Sequence, residues 1–469
     1  MKVTLVISSF FVVNSVSGAS ISELGSISKK SLFSDSFEFT LKDFEDNASV
    51  YQYCKAGYLD SNTYKPLEDS ELISVQAILR EGDHAPAYFN IKERKKWRFC
   101  DKTKLTKHLR PMTTIQLNDI SVDITKGQVL QIPYNPVCIA GELTQKGAVD
   151  SIDLGKSMRD IYVKKLGFLK PDLQSASQLK VRTSNSMSAR QTANYVLSGL
   201  YPVSGNGDDV AVNSFYLPAA IDNIFDNPQA CPKSQVLLNQ IIASDDYQEY
   251  LGTNKDYIET LNKIISANTS NPEFTTSKKY YYDNIQSRVC RGLPYACNKD
   301  GKCVNDDIFL TFKADYTTEV FFQKRLISFS PKYNNFTSGL YLRDFKRDMD
   351  QLVRVNKNRK KCPSKKSPRF YMYSANDQTI HNVAYSLIAG ALDSLAAPIS
   401  SNMFFEVWKN NTSGKLSVRV FYNNRILQVY GQDGSRTNPW CDFNSCDYDK
   451  FMQVLDTVIP QNPSVECYA

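Results

Sequence analysis

The sequence predicts an α/β fold with a largely parallel central sheet, helices on both faces of that sheet, and an inserted, mostly helical cap subdomain. Three apolar stretches, at 73–80, 178–184 and 369–377, predict strands, and each ends in a cluster of polar residues. Segments with helical spacing of apolar residues alternate with these strands. The chain from about 205 to 345 lacks that alternation and is rich in Tyr, Asn and Cys, which predicts the cap.

The first 19 residues have the features of a secretory signal peptide. Lys2 precedes an apolar stretch from Val3 to Val13, and small residues follow up to Ala19. The stretch is too short to cross a bilayer, so a membrane anchor is the less favoured interpretation. We expect a protein that is secreted or resides in the lumen of the secretory pathway, with no transmembrane segment.

Residues 20–70 should be a loosely structured lead-in, and 71–469 one α/β domain that contains the cap.

The 11 cysteines fit an oxidising compartment, where most of them should pair and an odd number leaves one over. Cys441 and Cys446 are close enough in sequence for a local disulfide. The chain has no CxxC pair and only three histidines, so we expect neither a metal site nor a cofactor. His108 and His381 should be surface residues, although His381, one helical turn beyond Asp377, could reach the mouth of a cleft.

The spacing of apolar, capping and turn residues also predicts the remaining helices and strands. Thr144 is a predicted N-cap for a helix between the first two strands. Helical stretches at 234–266 and 316–350 belong to the predicted cap. Near the C-terminus, apolar runs at 402–408 and 416–422 flank a turn and predict a hairpin.

Ligands of α/β sheets bind at the carboxyl ends of the strands, so the polar clusters at those ends are the candidate site. Five sequence motifs carry them or lie close to them. They are Arg80-Glu81-Gly82-Asp83-His84-Ala85-Pro86, Gly141-Glu142-Leu143-Thr144-Gln145-Lys146-Gly147, Val181-Arg182-Thr183, Gly199-Leu200-Tyr201-Pro202, and Tyr373-Ser374-Ala375-Asn376-Asp377.

In this order and at these spacings, the motifs resemble those of the secreted histidine acid phosphatases, from about residue 52 to the end. The resemblance implies a histidine nucleophile in the first motif, arginines that bind phosphate, and a late His–Asp pair whose aspartate protonates the leaving oxygen. Arg80, Arg182 and Asp377 match these positions. Glu81 stands at the nucleophile position, His84 at that of the second arginine, and Asn376 at that of the late histidine.

These three substitutions predict that catalysis is lost. A glutamate with its ordinary pKa of about 4.3 is anionic at most pH values and repels a bound phosphate. We therefore expect a protein that binds a partner protein, an acidic glycan or a phosphorylated ligand without turnover. An alternative is an acid phosphomonoester hydrolase with altered chemistry, in which Glu81 or His84 serves as the nucleophile. A structural extracellular or wall glycoprotein is a third possibility.

The net charge and the glycosylation sequons indicate which partners and modifications to expect. The net charge is +7, and basic residues cluster at 92–98 and 357–366. These clusters are either solvated loops or a surface that binds acidic polymers. No nucleic-acid-binding motif is present, so nucleic acid is not an expected partner. Glycan acceptor sequons begin at Asn47, Asn268, Asn335, Asn410 and Asn411. The sequence does not predict an oligomeric state.

Overall fold

The computed structural model describes residues 52–89, 96–106, 109–110, 112–117, 124–129, 136–203, 209–265, 278–298, 300–321, 323–324, 330–356, 368–389, 397–431 and 437–469. Several expectations lie outside these ranges. They concern the signal peptide, residues 20–51, most of the basic run 92–98, all of the basic run 357–366, His108, Cys362, and the sequons at Asn47 and Asn268.

One sheet of ten strands forms the centre of the fold. The strands are β1 (Ser70–Arg80), β2 (Met112–Leu117), β3 (Ile124–Val129), β4 (Leu179–Thr183), β5 (Val212–Tyr216), β6 (Phe370–Ala375), β7 (Asn402–Asn410), β8 (Leu416–Tyr422), β9 (Arg425–Ile426) and β10 (Cys446–Asp447). Their order is β10-β8-β7-β1-β6-β4-β5-β2-β3, with β9 paired to β8. The five strands from β1 to β2 in this order are parallel, and the strands beyond them at both edges are antiparallel. This arrangement confirms the predicted fold class.

The helices of the described ranges are α1 (Thr103–Thr106), α2 (Gln145–Met158), α3 (Met187–Leu200), α4 (Pro232–Ile242), α5 (Asp245–Ile265), α6 (Lys278–Cys290), α7 (Asp306–Phe321), α8 (Ser330–Asn356), α9 (Asp377–Ser386), α10 (Tyr448–Val458) and α11 (Pro463–Glu466). A π-helical segment, Arg159–Lys165, extends α2. Helices α2 and α3 pack on one face of the sheet, whereas α8, α9 and α10 pack on the other.

The predicted strands agree with the observed ones to within a few residues. Ile73 to Arg80 of β1 are all buried, because this central strand is covered by helices on both faces. Apolar side chains therefore occur on both faces of the strand, with Val75, Ala77 and Leu79 on one and Ile78 on the other. Thr144 caps α2 as predicted, with its hydroxyl accepting from the amide of Gly147. The C-terminal hairpin is formed by β7 and β8.

The range predicted for the cap, about 205–345, contains α4 to α7, whose buried side chains form clusters separate from those of the sheet. It also contains β5, which pairs with β4 and β2 in the main sheet, and part of α8. Tyr333, Phe336 and Leu340 of α8 pack with α4 and α5, whereas Tyr341, Leu342 and Phe345 pack on the sheet. The helical character of this range is therefore observed, while its boundaries as a subdomain remain a prediction.

Residues 52–69 of the predicted lead-in are packed against the rest of the molecule, with Tyr53, Leu59 and Tyr64 buried. The structure pairs ten cysteines, as Cys54–Cys290, Cys100–Cys138, Cys231–Cys467, Cys297–Cys303 and Cys441–Cys446. The local Cys441–Cys446 bridge is the one expected from the sequence. Across the ranges described, no helix has both the length and the apolar character needed to cross a membrane.

Candidate functional site

The loop after β1 is fixed by backbone hydrogen bonds to three neighbouring elements. The amide of Glu81 donates to the carbonyl of Ala375 at the end of β6 (3.0 Å), and that of Gly82 donates to Thr192 Oγ1 on α3 (3.0 Å). At the start of α2, the amide of Thr144 donates to the Asp83 carbonyl (2.9 Å). The loop therefore has a defined conformation in which its side chains face the carboxyl ends of β1 and β6.

Arg80 lies at the carboxyl end of β1 and is 97% buried. Its guanidinium donates to the carbonyl of Ala397. Burial opposes the charge of Arg80, but the carboxylates of Asp377 and Glu81 outweigh burial and raise its pKa above the ordinary value. Arg80 is thus a cation that is already neutralised by two carboxylates of the site.

Glu81 and His84 face each other inside the loop. Glu81 Oε1 lies 3.7 Å from His84 Nε2, and both side chains are buried. Burial raises the pKa of Glu81, although Arg80 and His84 act against this shift. His84 Nδ1 donates to the carbonyl of Ala85 (2.8 Å), which directs Nε2 towards the carboxylate. Glu81 Oε2 is buried and has no hydrogen-bond partner among the residues that the structure describes.

A residue of the cap completes this cluster. Asp283, on α6, places Oδ1 3.8 Å from His84 Nε2, and its Oδ2 accepts from the amide of Ala87 (2.7 Å). Burial opposes protonation of His84, but the charges of Asp283 and Glu81 raise its pKa above the ordinary value. His84 is therefore a cation at mildly acidic pH, between two carboxylates.

Asp377 matches the position of the family's proton donor, yet its surroundings favour the anion. Burial alone would raise its pKa, but the charges of Lys279 and Arg80, with the amide of Gln378, hold the pKa well below the usual range. A general acid must carry a proton at the working pH. Asp377 is therefore a poor proton donor at all but very low pH.

Asn376 is the N-cap of α9. Its Oδ1 accepts from the amide and the hydroxyl of Thr379, each at 3.2 Å. Asparagine is among the preferred residues at this position, because its side chain satisfies a free amide of the first helical turn. The residue at the position of the family's second histidine thus has a structural function here.

Arg182 lies at the end of β4, on the same face of the sheet as Arg80, with β6 between the two strands. Its guanidinium binds the carboxylates of Asp222 (3.1 Å) and Asp344 (3.2 Å) and the side chain of Asn223 (2.5 Å). The partners of Arg182 are therefore different from those of Arg80, which contacts Ala397 and is neutralised by Asp377 and Glu81. Two carboxylates thus offset the charge of Arg182 in this structure, and its ligand-binding role stays a prediction.

Three tyrosines cover the site from the side of the cap. The rings of Tyr282 (α6) and Tyr316 (α7) stack with centroids 4.8 Å apart, and Tyr53 packs edge-on against Tyr282 at 5.7 Å. Tyr316 Oη lies 3.5 Å from Asp377 Oδ2. The Cys54–Cys290 disulfide joins the segment next to Tyr53 to the end of α6. The cap is therefore packed tightly onto the loop and the start of α9.

His381 is buried, so the prediction that it lies at the surface is wrong. It follows Asp377 by one helical turn on the face of α9 that packs inward. Its Nε2 accepts from the amide of Ala397 (2.7 Å), the residue whose carbonyl accepts from Arg80. His381 thus holds the backbone segment to which Arg80 is anchored.

One group of potential metal ligands occurs among the residues that the structure describes, namely Cys100, Cys138 and Glu142. The two cysteines form a disulfide, and Glu142 Oε1 pairs with the buried ammonium of Lys102 (2.7 Å). A disulfide offers no thiolate to a cation, so this group does not fit a metal. Glu142 of the second motif instead stabilises the turn before α2, where it also accepts from the amide of Ile139 (2.9 Å).

Comparison with known proteins identifies the family of the chain. Residues 71–423 match the family model of the histidine phosphatase superfamily (branch 2), and the chain belongs to this family. Among curated relatives, 2-phosphoxylose phosphatase 1 of Rattus norvegicus is 23% identical over 373 residues, which cover 75% of this chain and 70% of that protein. Prostatic acid phosphatase of Homo sapiens is 24% identical over 341 residues, covering 70% and 79% respectively.

Solved structures support the same fold. The apo form of Hafnia alvei phytase superposes with a TM-score of 0.53 at 12% identity, over 85% of this chain and 99% of that one. Klebsiella sp. ASR1 phytase gives a TM-score of 0.51 at 16% identity, over 86% and 99%. At these identities the likeness concerns the fold alone.

Sequence reasoning missed the contribution of the cap. Asp283, Tyr282 and Tyr316 are roughly 200 residues or more from the first motif and belong to no motif of their own. The density of tyrosines in KKYYYDN (278–284) was the available signal, but nothing in it indicates which strand end the helix covers.

Proposed function

We propose that this chain is a secreted, glycosylated histidine acid phosphatase-like protein that lacks phosphomonoesterase activity and acts by binding an extracellular partner protein. The observation that carries the proposal is Glu81 at the nucleophile position, buried beside His84. A carboxylate there supplies no imidazole for a phosphoenzyme, and its charge opposes a phosphate. The five disulfides favour an oxidising compartment and so support secretion.

The charges of the site favour a protein partner over a phosphorylated ligand. Four cations act on the group of residues around the loop, and four carboxylates match them: Arg80, Lys279, His84 and Arg291 against Glu81, Asp83, Asp283 and Asp377. Burying a phosphate dianion removes its hydration, which counter-charges and hydrogen-bond donors must replace. In this site the cations and carboxylates of the protein instead cancel one another, and the cap covers them.

One observation favours the alternative of an altered hydrolase. Because His84 Nδ1 donates to the carbonyl of Ala85, the neutral imidazole has its lone pair on Nε2, as a nucleophile requires. The carboxylates of Glu81 and Asp283 weaken this alternative, since they raise the pKa of His84 and favour the protonated, non-nucleophilic form. An activity that rose with pH and disappeared in His84→Gln would support it.

The proposal is tested by assaying the purified protein against chromogenic and natural phosphomonoesters from about pH 3 to about pH 8. Human prostatic acid phosphatase, one of the relatives, serves as the positive control. We expect no turnover above that of a Glu81→Gln variant. Turnover in the wild type that Glu81→Gln abolishes would show that Glu81 is a working catalytic group and would refute the proposal.

A further inference from the structure

Asp283 contacts the loop with both oxygens of its carboxylate. Oδ2 accepts from the amide of Ala87, and Oδ1 lies beside His84 Nε2. The side chain of Asp283 comes from α6, so these contacts join the cap to the loop after β1. A second pair, Arg291 Nε with Asp83 Oδ2 at 3.1 Å, joins the end of the same helix to the same loop.

A carboxylate held by an amide and a cation has the surroundings of a bound oxyanion. Phosphate, sulfate and carboxylate all accept charge-assisted hydrogen bonds from such donors. His84 can supply the cation because its Nδ1 is fixed by Ala85 and its Nε2 faces Asp283. The position next to His84 is therefore already filled by an anion that belongs to the protein.

We propose that Asp283 is an internal anionic ligand of the degenerate site, which keeps small oxyanions out, so that removal of its charge opens an oxyanion site at His84 and the Ala87 amide. The inference rests on the proposed function, because it takes the site to be non-catalytic. With Asp283 neutral, four cations face three carboxylates, Glu81, Asp83 and Asp377, and the site gains a net positive charge.

The proposal carries a pH dependence with a defined sign. The groups that face His84 are Glu81 and Arg80 beside it and Asp283 on α6, while Lys279 and Asp377 act on the same cluster from α6 and α9. The raised pKa of His84 keeps it cationic to higher pH than an ordinary histidine, and the raised pKa of Glu81 lets it take up a proton at higher pH than an ordinary glutamate. Both changes strengthen oxyanion binding as the pH falls.

Sulfate is the suitable probe, because it remains a dianion throughout this pH range. Isothermal titration with sulfate at about pH 5.5 and about pH 8 compares the wild type with Asp283→Asn, whose amide oxygen can still accept from Ala87. Asp307→Asn is the matched control, since Asp307 is an exposed acid in the first turn of α7. The double variant Asp283→Asn/His84→Gln tests whether His84 supplies the cation.

We expect Asp283→Asn to bind sulfate at least about tenfold more tightly than the wild type or Asp307→Asn at the lower pH. The gain should shrink at the higher pH and disappear in the double variant. Equal binding by the wild type and Asp283→Asn, or a gain that survives loss of His84, would overturn the proposal.

Circular dichroism checks the fold, and Asp283→Ser replaces Asp283→Asn if the latter misfolds. Phosphomonoester hydrolysis by the wild type would refute the proposed function but leave this titration as an independent result.

Discussion

Glu81 Oε1 lies 3.7 Å from Nε2 of His84, so the two substituted positions of the first motif face each other in the buried loop. Each side chain is part of the other's electrostatic surroundings, since His84 lowers the pKa of Glu81 and Glu81 raises that of His84. The two positions therefore act as a pair. A change at one of them alone removes one counter-charge of the other buried group.

Glu81→His alone should not restore phosphatase activity. It supplies an imidazole, but it also places a second ring next to His84 and removes the carboxylate that pairs with it. Catalytic groups that act as a unit are strongly non-additive, so a partial repair contributes little. Hydrolysis of a chromogenic phosphomonoester at acid pH should remain at background. Activity in this single variant would mean that the other two substitutions matter less than we infer.

The triple change Glu81→His, His84→Arg, Asn376→His should exceed the single variant by far and be most active at the lowest pH tested. It restores the missing groups, while Asp377 remains ionised until the pH is low. It also removes the cap that Asn376 provides for α9, at a cost of about 1 kcal/mol in stability. An inactive but folded triple variant would show that the site has diverged beyond these three positions.

Asp377→Asn should lower the free energy of unfolding by about 2–4 kcal/mol at neutral pH, because it leaves Arg80 and Lys279 without this counter-charge. The pKa of Asp377 is lower in the folded state than its unfolded value of about 4. Its contribution to stability is therefore complete above that unfolded value and declines as the pH falls below it. Urea denaturation from about pH 3 to about pH 7 measures the difference, with Asp307→Asn as the control. A destabilisation independent of pH would contradict the charge-based explanation.

The position of the site could be predicted from the sequence because the fold determines it. Apolar strands that end at Arg80, Thr183 and Ala375 bring three polar clusters to the same edge of a parallel sheet. Local signals also sufficed for the Thr144 cap and the C-terminal hairpin. In each case the determining interactions lie within a few residues of one another.

The orientation of side chains and the contribution of the cap could not be predicted. Arg182 is turned towards Asp222 and Asp344, which lie 40 and 162 residues further along the chain. Asp283 reaches His84 because α6 packs over the loop, and tertiary packing alone brings them together. The burial of His381 likewise depends on the backbone around Ala397, which no local pattern indicates.

Gly147→Ala should destabilise the protein by about 1–3 kcal/mol. A Cβ at this position would lie 2.1 Å from the carbonyl oxygen of Asp83, so the loop after β1 must shift. Gly252→Ala is the matched control, because this exposed glycine of α5 has open space around it, and alanine there should stabilise the helix by about 0.5–1 kcal/mol. Chemical denaturation of both variants provides the comparison. A neutral Gly147→Ala would contradict the close packing of loop and helix.

Among the sequons that the structure describes, Asn411 should carry the glycan in protein secreted from a eukaryotic host. Asn411 is exposed in the turn between β7 and β8. The neighbouring Asn410 uses its side chain within that turn, accepting from Thr412 and Ser413 and donating to Asp69. Asn335 lies in α8 and its amide nitrogen faces the carbonyls of Val458 and Pro331. Glycopeptide mapping should find Asn411 occupied, and occupancy of Asn335 would contradict its packed environment.

The most direct test of the central claim is the rate of phosphomonoester hydrolysis by the disulfide-bonded wild-type protein, measured as a function of pH beside the matched Glu81→Gln variant. Because Glu81 replaces the nucleophile and Asp377 is held as an anion, we predict that both proteins remain at the background rate at every pH. Saturable wild-type turnover that is lost in Glu81→Gln would contradict the claim that this family member binds without catalysis.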